Sequence, residues 1–163
     1  MSTIIRQGVK ADLPQVLDLI NELAEYEKEP HEVENTVAQL EEDGFGAQPV
    51  FEFFVAENSE NNKIIGLALY FYSYSTWKGK CLYLEDLIVT QAERGKGLGK
   101  RLLDAIIMKA KESNCYRVVW QVLDWNEPAI QFYKSLGADI PKEWLTCRLV
   151  KEQIDNYVPL EKQ

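Results

Sequence analysis

A glycine-rich segment past the middle of the chain combines residue types suited to binding an anion. Residues 89–100 read Val-Thr-Gln-Ala-Glu-Arg-Gly-Lys-Gly-Leu-Gly-Lys and follow a predicted strand. An amphipathic helix is predicted to begin at Leu98, and the free N–H groups and dipole of a helix start favour a negatively charged ligand. Arg94, Lys96 and Lys100 add positive charge to a chain whose net charge is −8. We therefore predict a phosphate or pyrophosphate site here.

Two well-known phosphate motifs do not fit this segment. A Walker loop requires Ser or Thr after Gly-Lys, but Arg101 follows Lys100. The dinucleotide fingerprint Gly-x-Gly-x-x-Gly lacks its third glycine in both registers, where Lys100 or Leu102 stands instead. The pattern that is present is Arg-x-x-Gly-x-Gly, over residues 94–99. An ordinary glycine-rich turn between a strand and a helix is the alternative interpretation.

Two acidic residues interrupt an apolar strand immediately before this segment. Residues 82–89 read Leu-Tyr-Leu-Glu-Asp-Leu-Ile-Val. Desolvation in such a strand raises the pKa of a carboxyl group, which suits Glu85 to a general base. Neighbouring strand residues face opposite sides of a sheet, so we predict that Glu85 and Asp86 do not act as one pair. The alternatives are an ion-paired sheet residue for Glu85 and a structural or substrate-shaping role for Asp86.

Hydrophobic periodicity predicts the elements that must position these residues. Strands are predicted over residues 3–7, 51–57, 63–74, 82–89, 116–123 and 144–151, and helices over residues 10–28, 33–42, 98–113 and 126–136. The helix over residues 126–136 ends before Gly137, a natural C-cap. Residues 51–74 are expected to form an antiparallel hairpin. This order predicts an α/β (α+β) fold, with one mixed sheet flanked by helices in a single domain over residues 1–163.

Composition excludes several classes of protein. The chain has 163 residues, of which 46% are hydrophobic and 27% charged, as is typical of a globular domain. Its 26 acidic and 18 basic residues argue against nucleic acid as a partner and fit a cationic substrate. No apolar run is long enough for a membrane span. Three cysteines without metal-like spacing indicate reduced, mostly core thiols in a cytoplasmic protein, with no metal site.

Separated segments of the chain resemble one enzyme family. Residues 19–27, 42–46, 83–86 and 125–138, with the Arg-x-x-Gly-x-Gly segment, are similar to the spermidine/spermine N-acetyltransferase (diamine acetyltransferase) branch of the GNAT superfamily. Two stretches, Ser-Thr-Trp-Lys-Gly over residues 75–79 and Leu-Asp-Trp-Asn over residues 123–126, look closer to its thialysine N-acetyltransferase-like branch. The resemblance covers residues from about 3 to 151. It implies the GNAT fold, a mostly antiparallel twisted sheet flanked by helices, and acetyl-CoA as co-substrate.

The resemblance also implies how acetyl-CoA is held. The glycine-rich loop binds the pyrophosphate, and the strand before it holds the pantetheine arm and the thioester carbonyl through backbone N–H groups. Asn126 contacts the pantetheine amide, although Asn is also a favoured helix N-cap. The implied acetyl-CoA-binding residues are Leu87, Ile88, Val89, Arg94, Gly95, Lys96, Gly97, Leu98, Gly99, Lys100, Asn126 and Tyr133.

Acetyl transfer to an amine sets the implied catalytic roles. A lysine-like ammonium, with a pKa of about 10.4, must lose a proton before it attacks, and the leaving thiolate must gain one. In the family, the residue matching Glu85 accepts the amine proton through water, and the tyrosine matching Tyr133 protonates the thiolate. The amine attacks acetyl-CoA directly in a ternary complex.

The resemblance places the substrate amine near the end of the first helix. The implied substrate-binding residues are Tyr26, Glu27, Trp77, Glu85 and Asp86. The glutamates of residues 22–34 provide a negatively charged mouth, or form only a solvated helix face. Trp77 provides an aromatic wall for the ammonium, or anchors its loop as a core residue. Residues 143–148 depart from the acid-Gly-Trp-Arg run of the polyamine enzymes, so no substrate contact is transferred there.

Several functions follow from the resemblance. A small primary amine, a thialysine- or lysine-like amino acid, is the expected acceptor, and a polyamine is the alternative. A non-catalytic CoA-binding or sensing module and a protein Nα- or Nε-acetyltransferase are the further alternatives. A homodimer is expected, with the C-terminal strands packed at or across its interface, and no nucleic acid or membrane partner is predicted.

Overall fold

The computed structural model describes residues 3–159, which fall into two compact units dividing after Gln121. The strands are β1 (Thr3–Gln7), β2 (Glu52–Asn58), β3 (Lys63–Ser75), β4 (Gly79–Val89) and β5 (Arg117–Val119). The α-helices are α1 (Leu13–Tyr26), α2 (Val37–Phe45), α3 (Leu98–Glu112), α4 (Glu127–Ser135) and α5 (Lys151–Asp155). Short 3-10 turns occur at Lys10–Asp12, Pro30–Glu32 and Gln91–Glu93.

One mixed sheet forms the centre of the first unit. Its strand order is β1-β2-β3-β4-β5, and every neighbouring pair is antiparallel except β4 and β5, which are parallel. The predicted mixed, mostly antiparallel sheet and the hairpin over residues 51–74 are therefore confirmed. That both units form a single domain over residues 1–163 stays a prediction.

The two faces of the sheet pack against different helices. Leu67 and Leu69 of β3 join one core with residues of α1 and α2, including Leu13 and Leu40. Gly66 faces the other side, where an added Cβ would lie 2.9 Å from Leu102 Cδ1 of α3. Because successive strand residues point to opposite faces, α1 and α2 cover one face and α3 covers the other. This explains why β3 is apolar at consecutive positions rather than at alternate ones.

Several predicted boundaries are corrected in the first unit. The first predicted helix begins with the 3-10 turn Lys10–Asp12 and becomes α-helical only from Leu13. The second begins at Val37, because the Thr36 hydroxyl accepts a hydrogen bond from the Gln39 N–H at 3.1 Å and caps it there. The strand predicted over residues 116–123 is reduced to Arg117–Val119.

The second unit confirms one predicted helix and contradicts one predicted strand. Gly137 has a φ of +82° and donates its N–H to the Lys134 carbonyl oxygen, as expected of a C-cap after α4. The strand predicted over residues 144–151 is wrong, since residues 144–150 form no regular element and α5 begins at Lys151. No strand among residues 3–159 pairs with this segment. An isolated strand leaves its backbone groups without ladder partners, and here Trp144 and Leu145 are 72% and 86% exposed.

A buried carboxylate stabilises the start of the first unit. Asp12 is 6% exposed, and its carboxylate accepts two hydrogen bonds from Arg6 at 2.8 Å and one from the Val9 N–H at 2.8 Å. The Arg6 hydrogen bonds lower the pKa of Asp12. We expect Asp12→Asn to lower the free energy of unfolding by about 2 kcal/mol at neutral pH.

This loss depends on pH in a defined direction. A carboxyl group whose pKa is lower in the folded than in the unfolded state stabilises the protein at pH values above its unfolded-state pKa, about 3.9 for Asp. This stabilisation is lost as pH falls through the pKa of the folded state. Urea unfolding at pH 7 and at pH 3 measures the difference in free energy of unfolding between wild type and Asp12→Asn, which we expect to be smaller at pH 3. Glu41→Gln, which breaks an exposed ion pair with Lys10, is the control and changes stability by less than about 0.5 kcal/mol. An equal deficit of Asp12→Asn at both pH values would contradict the assignment.

Candidate functional site

The glycine-rich loop has the backbone geometry of an anion site. Gly95 and Gly97 have φ values of +77° and +79°, and no atom lies within 4 Å of a Cβ added at either. Gly97 is the N-cap of α3, whose first helical hydrogen bond joins the Arg101 N–H to the Gly97 carbonyl oxygen at 3.2 Å. The N–H groups of Leu98 and Gly99 precede that bond and have no acceptor within the helix. They are available to an anion.

The left-handed backbone at Gly97 can be tested apart from ligand binding. We expect Gly97→Ala to lower the free energy of unfolding by about 1 kcal/mol, because a Cβ is strained at positive φ. Gly99→Ala is the matched control, since its Cβ would meet only Val89 Cγ2 at 3.9 Å, an ordinary contact. It is expected to leave stability unchanged or to raise it by about 0.5 kcal/mol. Urea unfolding measures both, and equal effects would contradict the assignment.

The three positively charged side chains of this segment each contact another group of the chain. Lys96 Nζ lies 2.8 Å from Glu93 Oε2, and Lys100 forms an ion pair with Asp104. Such exposed pairs contribute at most about 1 kcal/mol, so a phosphate can compete for the lysines. Arg94 donates its Nε–H to the Val89 carbonyl oxygen at 2.9 Å, and its guanidinium carbon lies 4.7 Å from the centre of the Tyr26 ring.

The sheet edge next to the loop is uncovered along part of β4. β5 pairs with β4 only at Cys81, Leu82 and Tyr83. Among residues 3–159, no strand pairs with this edge of β4 beyond Tyr83. Backbone groups on an uncovered edge can bind an extended ligand, as a neighbouring strand would. The edge continues through Leu87, Ile88 and Val89, whose predicted backbone role stays a prediction.

An extra residue in β4 changes the face of the sheet toward which the two acidic side chains of this strand point. Tyr70 is opposite Leu84, whereas its neighbour Leu69 is opposite Asp86, so Glu85 is an extra residue in β4. Opposed residues share a face, and Leu69 and Tyr70 point to opposite faces. Glu85 and Asp86 therefore both face the side of α1 and α2, as the two residues of a β-bulge do. The prediction that these carboxylates point to opposite sides is wrong, because it assumed a regular strand.

The bulge gathers carboxylates near the end of α1. Burial, and to a smaller extent the nearby carboxylates of Glu85 and Glu27, raises the pKa of Asp86 to about 6. Burial also raises the pKa of Glu27, the C-cap residue of α1. Glu85 itself is exposed, so the expectation that its side chain is desolvated within the strand is wrong. Burial therefore raises the pKa values of Asp86 and Glu27, and together with the exposed Glu85 these carboxylates form a site suited to a cationic group.

Trp77 lies away from this cluster. It occupies the turn between β3 and β4 and is 77% exposed, so the alternative of a core residue anchoring the loop is wrong. Along β4, Gly79 and Glu85 are separated by about 20 Å of strand. Within one chain, the structure thus does not bring Trp77 to the carboxylates, and its role as an aromatic wall stays a prediction.

The second unit carries the two remaining predicted site residues. Asn126 is the N-cap of α4, and its side-chain oxygen accepts a hydrogen bond from the Ala129 N–H at 3.4 Å. Tyr133 is half-buried on α4, and burial raises the pKa of its phenol. The phenol therefore remains a proton donor at neutral pH. The ligand contacts of Asn126 and Tyr133 stay predictions.

Other predicted features have the following positions. Cys81 is buried, Cys115 half-buried and Cys147 exposed, so the prediction that the thiols lie mostly in the core is wrong. Among residues 3–159, no group of three or more His, Cys, Asp or Glu side chains is arranged to hold a metal ion. In the same range, no helix is long and apolar enough to cross a membrane.

Sequence reasoning did not identify the role of Glu22. The carboxylate of this α1 residue accepts hydrogen bonds from Thr90 Oγ1 at 2.9 Å and from the Gln91 N–H at 2.8 Å. These donors lie 68 and 69 positions further along the chain. The sequence shows only one glutamate among several on a helix surface, so no local pattern distinguishes it.

Comparison with known proteins supplies the family. Residues 14–138 match the model of the acetyltransferase (GNAT) family. The chain belongs to this family. A thialysine N-epsilon-acetyltransferase from Mus musculus is 38% identical over 160 residues, covering 93% of this chain and 94% of that protein. A spermidine/spermine N(1)-acetyltransferase-like protein 1 from Homo sapiens is 37% identical over 92% of this chain, which spans only 23% of that protein.

A solved structure has a similar fold. An integron cassette protein from the mobile metagenome of V. cholerae has a TM-score of 0.77 and 25% identity, covering 95% of this chain and 96% of that chain. The protein is thus a GNAT N-acetyltransferase, and enzymes of this family use acetyl-CoA. The loop of this acetyltransferase fits the pyrophosphate of acetyl-CoA, because Gly95 and Gly97 leave open space where a Cβ would stand.

Proposed function

We propose that this N-acetyltransferase acetylates the primary amine of a small cationic acceptor, a thialysine- or lysine-like amino acid. The observation that carries the proposal is a cluster of three carboxylates: Glu27 at the end of α1, and Glu85 and Asp86, which the bulge in β4 directs toward the α1 side of the sheet. Neighbouring carboxylates attract an ammonium group, and burial together with the charges of Glu85 and Glu27 raises the pKa of Asp86. The similarity to thialysine N-epsilon-acetyltransferase favours an amino acid as the acceptor.

The cluster and Tyr133 supply the proton transfers that the reaction needs. Glu85, assisted by Asp86, accepts a proton from the ammonium through water, so that the neutral nitrogen attacks the thioester carbonyl carbon. The new C–N bond forms as the C–S bond breaks, and the Tyr133 phenol gives its proton to the leaving sulfur. The nitrogen, positively charged after the attack, then loses its second proton to the Tyr133 phenolate, which restores the phenol and leaves a neutral amide. Leu87, Ile88 and Val89 orient the pantetheine arm through their backbone, with Asn126 at its amide. The glycine loop with Arg94, Lys96 and Lys100 binds the phosphates.

A panel of amines tests the proposed acceptor. Release of free thiol from acetyl-CoA is followed with thialysine, lysine, ornithine, putrescine, spermidine, spermine and a short peptide. We expect the highest kcat/KM with thialysine or lysine. A higher kcat/KM with spermidine or spermine would identify a polyamine acetyltransferase. The similarity to the human spermidine/spermine N(1)-acetyltransferase-like protein 1 supports this alternative. Tight CoA binding without turnover of any amine would point to a sensing module and overturn the proposed catalytic roles.

The proposal includes a homodimer in the cytoplasm. The support for a dimer lies in the exposed apolar side chains of residues 144–158. Leu145 and Tyr157 are 86% and 67% exposed, which is unusual for apolar side chains in a monomer. Light scattering tests the oligomeric state, and a monomer at micromolar concentration would contradict the dimer. Cysteine usage favours the reducing cytoplasm.

A further inference from the structure

A side chain of α1 holds the start of the glycine-rich loop. The Glu22 carboxylate accepts hydrogen bonds from Thr90 Oγ1 at 2.9 and 3.2 Å and from the Gln91 N–H at 2.8 Å. Thr90 and Gln91 are the first residues after β4 and lead into the loop. One half-buried carboxylate thus fixes the position at which the loop leaves the sheet.

A second contact joins the same face of α1 to the other end of this segment. Tyr26 follows Glu22 by four residues, so their side chains lie on one face of the helix. The Arg94 guanidinium carbon lies 4.7 Å from the centre of the Tyr26 ring, and Arg94 Nε donates to the Val89 carbonyl oxygen at 2.9 Å. The 3-10 turn Gln91–Glu93 is therefore held by α1 at both ends.

We propose that Glu22 is a positioning residue that keeps the glycine loop in the conformation that binds the pyrophosphate of acetyl-CoA. The proposal rests on acetyl-CoA as co-substrate and is independent of which amine is acetylated. The apparent affinity for a ligand is proportional to the fraction of molecules whose site is in the competent conformation. Loss of Glu22 frees the first loop residues and lowers that fraction, so the affinity for CoA falls.

Electrostatics alone predicts the opposite result. Glu22 is a negative charge close to a site for a polyanion, and removing such a charge strengthens phosphate binding. The sign of the change in affinity therefore separates positioning from charge. Glu25 is an exposed glutamate on the same helix, and Glu25→Ala removes the same charge without removing a loop contact.

The experiment measures the dissociation constant of CoA by calorimetry, with no amine present, for wild type, Glu22→Ala, Glu22→Gln, Thr90→Val and Glu25→Ala. We expect Glu22→Ala to raise the dissociation constant about tenfold. Glu22→Gln, which keeps an acceptor for the Gln91 N–H, and Thr90→Val are each expected to raise it about threefold. Glu25→Ala leaves it unchanged or lowers it.

Amide hydrogen exchange of the ligand-free proteins gives a second readout. Exchange is expected to be faster over residues 90–99 in Glu22→Ala than in Glu25→Ala, with the peptides of β2 and β3 unchanged. Equal CoA affinities for Glu22→Ala and Glu25→Ala would overturn the proposal, as would faster exchange over the whole sheet. If Glu22→Ala does not fold, Glu22→Gln and Thr90→Val decide by the same criteria. These measurements use no amine, so they test the role of Glu22 even if no amine on the panel reacts. The proposed acceptor and the proposed role of Glu22 can therefore be disproved independently.

Discussion

Tyr133→Phe is expected to lower kcat about 10²-fold while changing the affinity for acetyl-CoA by less than about threefold. The substitution removes one hydroxyl group and keeps the aromatic ring, whose centre lies 5.4 Å from that of the Phe132 ring. Burial raises the pKa of Tyr133, so the phenol carries its proton at neutral pH and can donate it to the leaving sulfur. Steady-state kinetics of thiol release, with calorimetric binding of acetyl-CoA, measures the two quantities separately.

The nature of the leaving group provides a sharper version of this test. An acetyl thioester of a more acidic thiol needs less help from a general acid, so it should restore most of the rate lost in Tyr133→Phe. Tyr116→Phe is the matched control, because it removes a phenol that is 73% exposed in the first unit. A kcat for Tyr133→Phe within about threefold of wild type, or an equal deficit with both thioesters, would contradict the role of general acid.

Asp86→Asn is the second substitution expected to have a large effect, a loss of about 10²-fold in kcat/KM for the amine. In the wild type, kcat/KM is expected to fall as pH decreases through about 6, because the pKa of Asp86 is raised to about 6 by burial and by Glu85 and Glu27. Below that pH, Asp86 is neutral and neither attracts an ammonium group nor helps to accept its proton. In Asp86→Asn this decrease near pH 6 should be absent.

Glu85→Gln distinguishes the two neighbouring carboxylates. This variant should also have a lower kcat/KM, and its kcat/KM should still decrease at acid pH. The decrease is expected at a lower pH than in the wild type, because the loss of the Glu85 charge lowers the pKa of Asp86. A pH profile of kcat/KM for the wild type and both variants measures this difference. If Glu85→Gln abolished the decrease and Asp86→Asn kept it, Glu85 would be the titrating group.

The raised pKa of Asp86 predicts that Asp86→Asn increases stability, although it lowers activity. A carboxyl group with a raised folded-state pKa stabilises the folded state below its unfolded pKa, and the stability is lost as pH rises through the folded value. At pH 8 the buried charge is therefore unfavourable, and Asp86→Asn should raise the free energy of unfolding by about 1–2 kcal/mol. Urea unfolding at pH 8 checks this, and a less stable variant would contradict the burial of an ionised Asp86.

The corrections have a common physical origin in pairing between distant segments. Periodicity predicts correctly that residues 82–89 form a strand, but the position of the extra residue depends on the register with β3. That register places Glu85 and Asp86 on one face. The strand predicted over residues 144–151 fails for a related reason, since an apolar pattern forms a strand only where another strand offers hydrogen bonds.

The sequence by itself determined the features that short segments contain. The glycines, cations and helix start of residues 94–100 specify an anion site, because positive φ and free N–H groups are local properties. The resemblance of separated motifs determined the family. Only the tertiary structure decided that Asp86 is half-buried whereas Glu85 is exposed, and that Glu22 holds Thr90 and Gln91. Burial and hydrogen bonds between residues 68 positions apart depend on how the helices pack on the sheet, which no local pattern encodes.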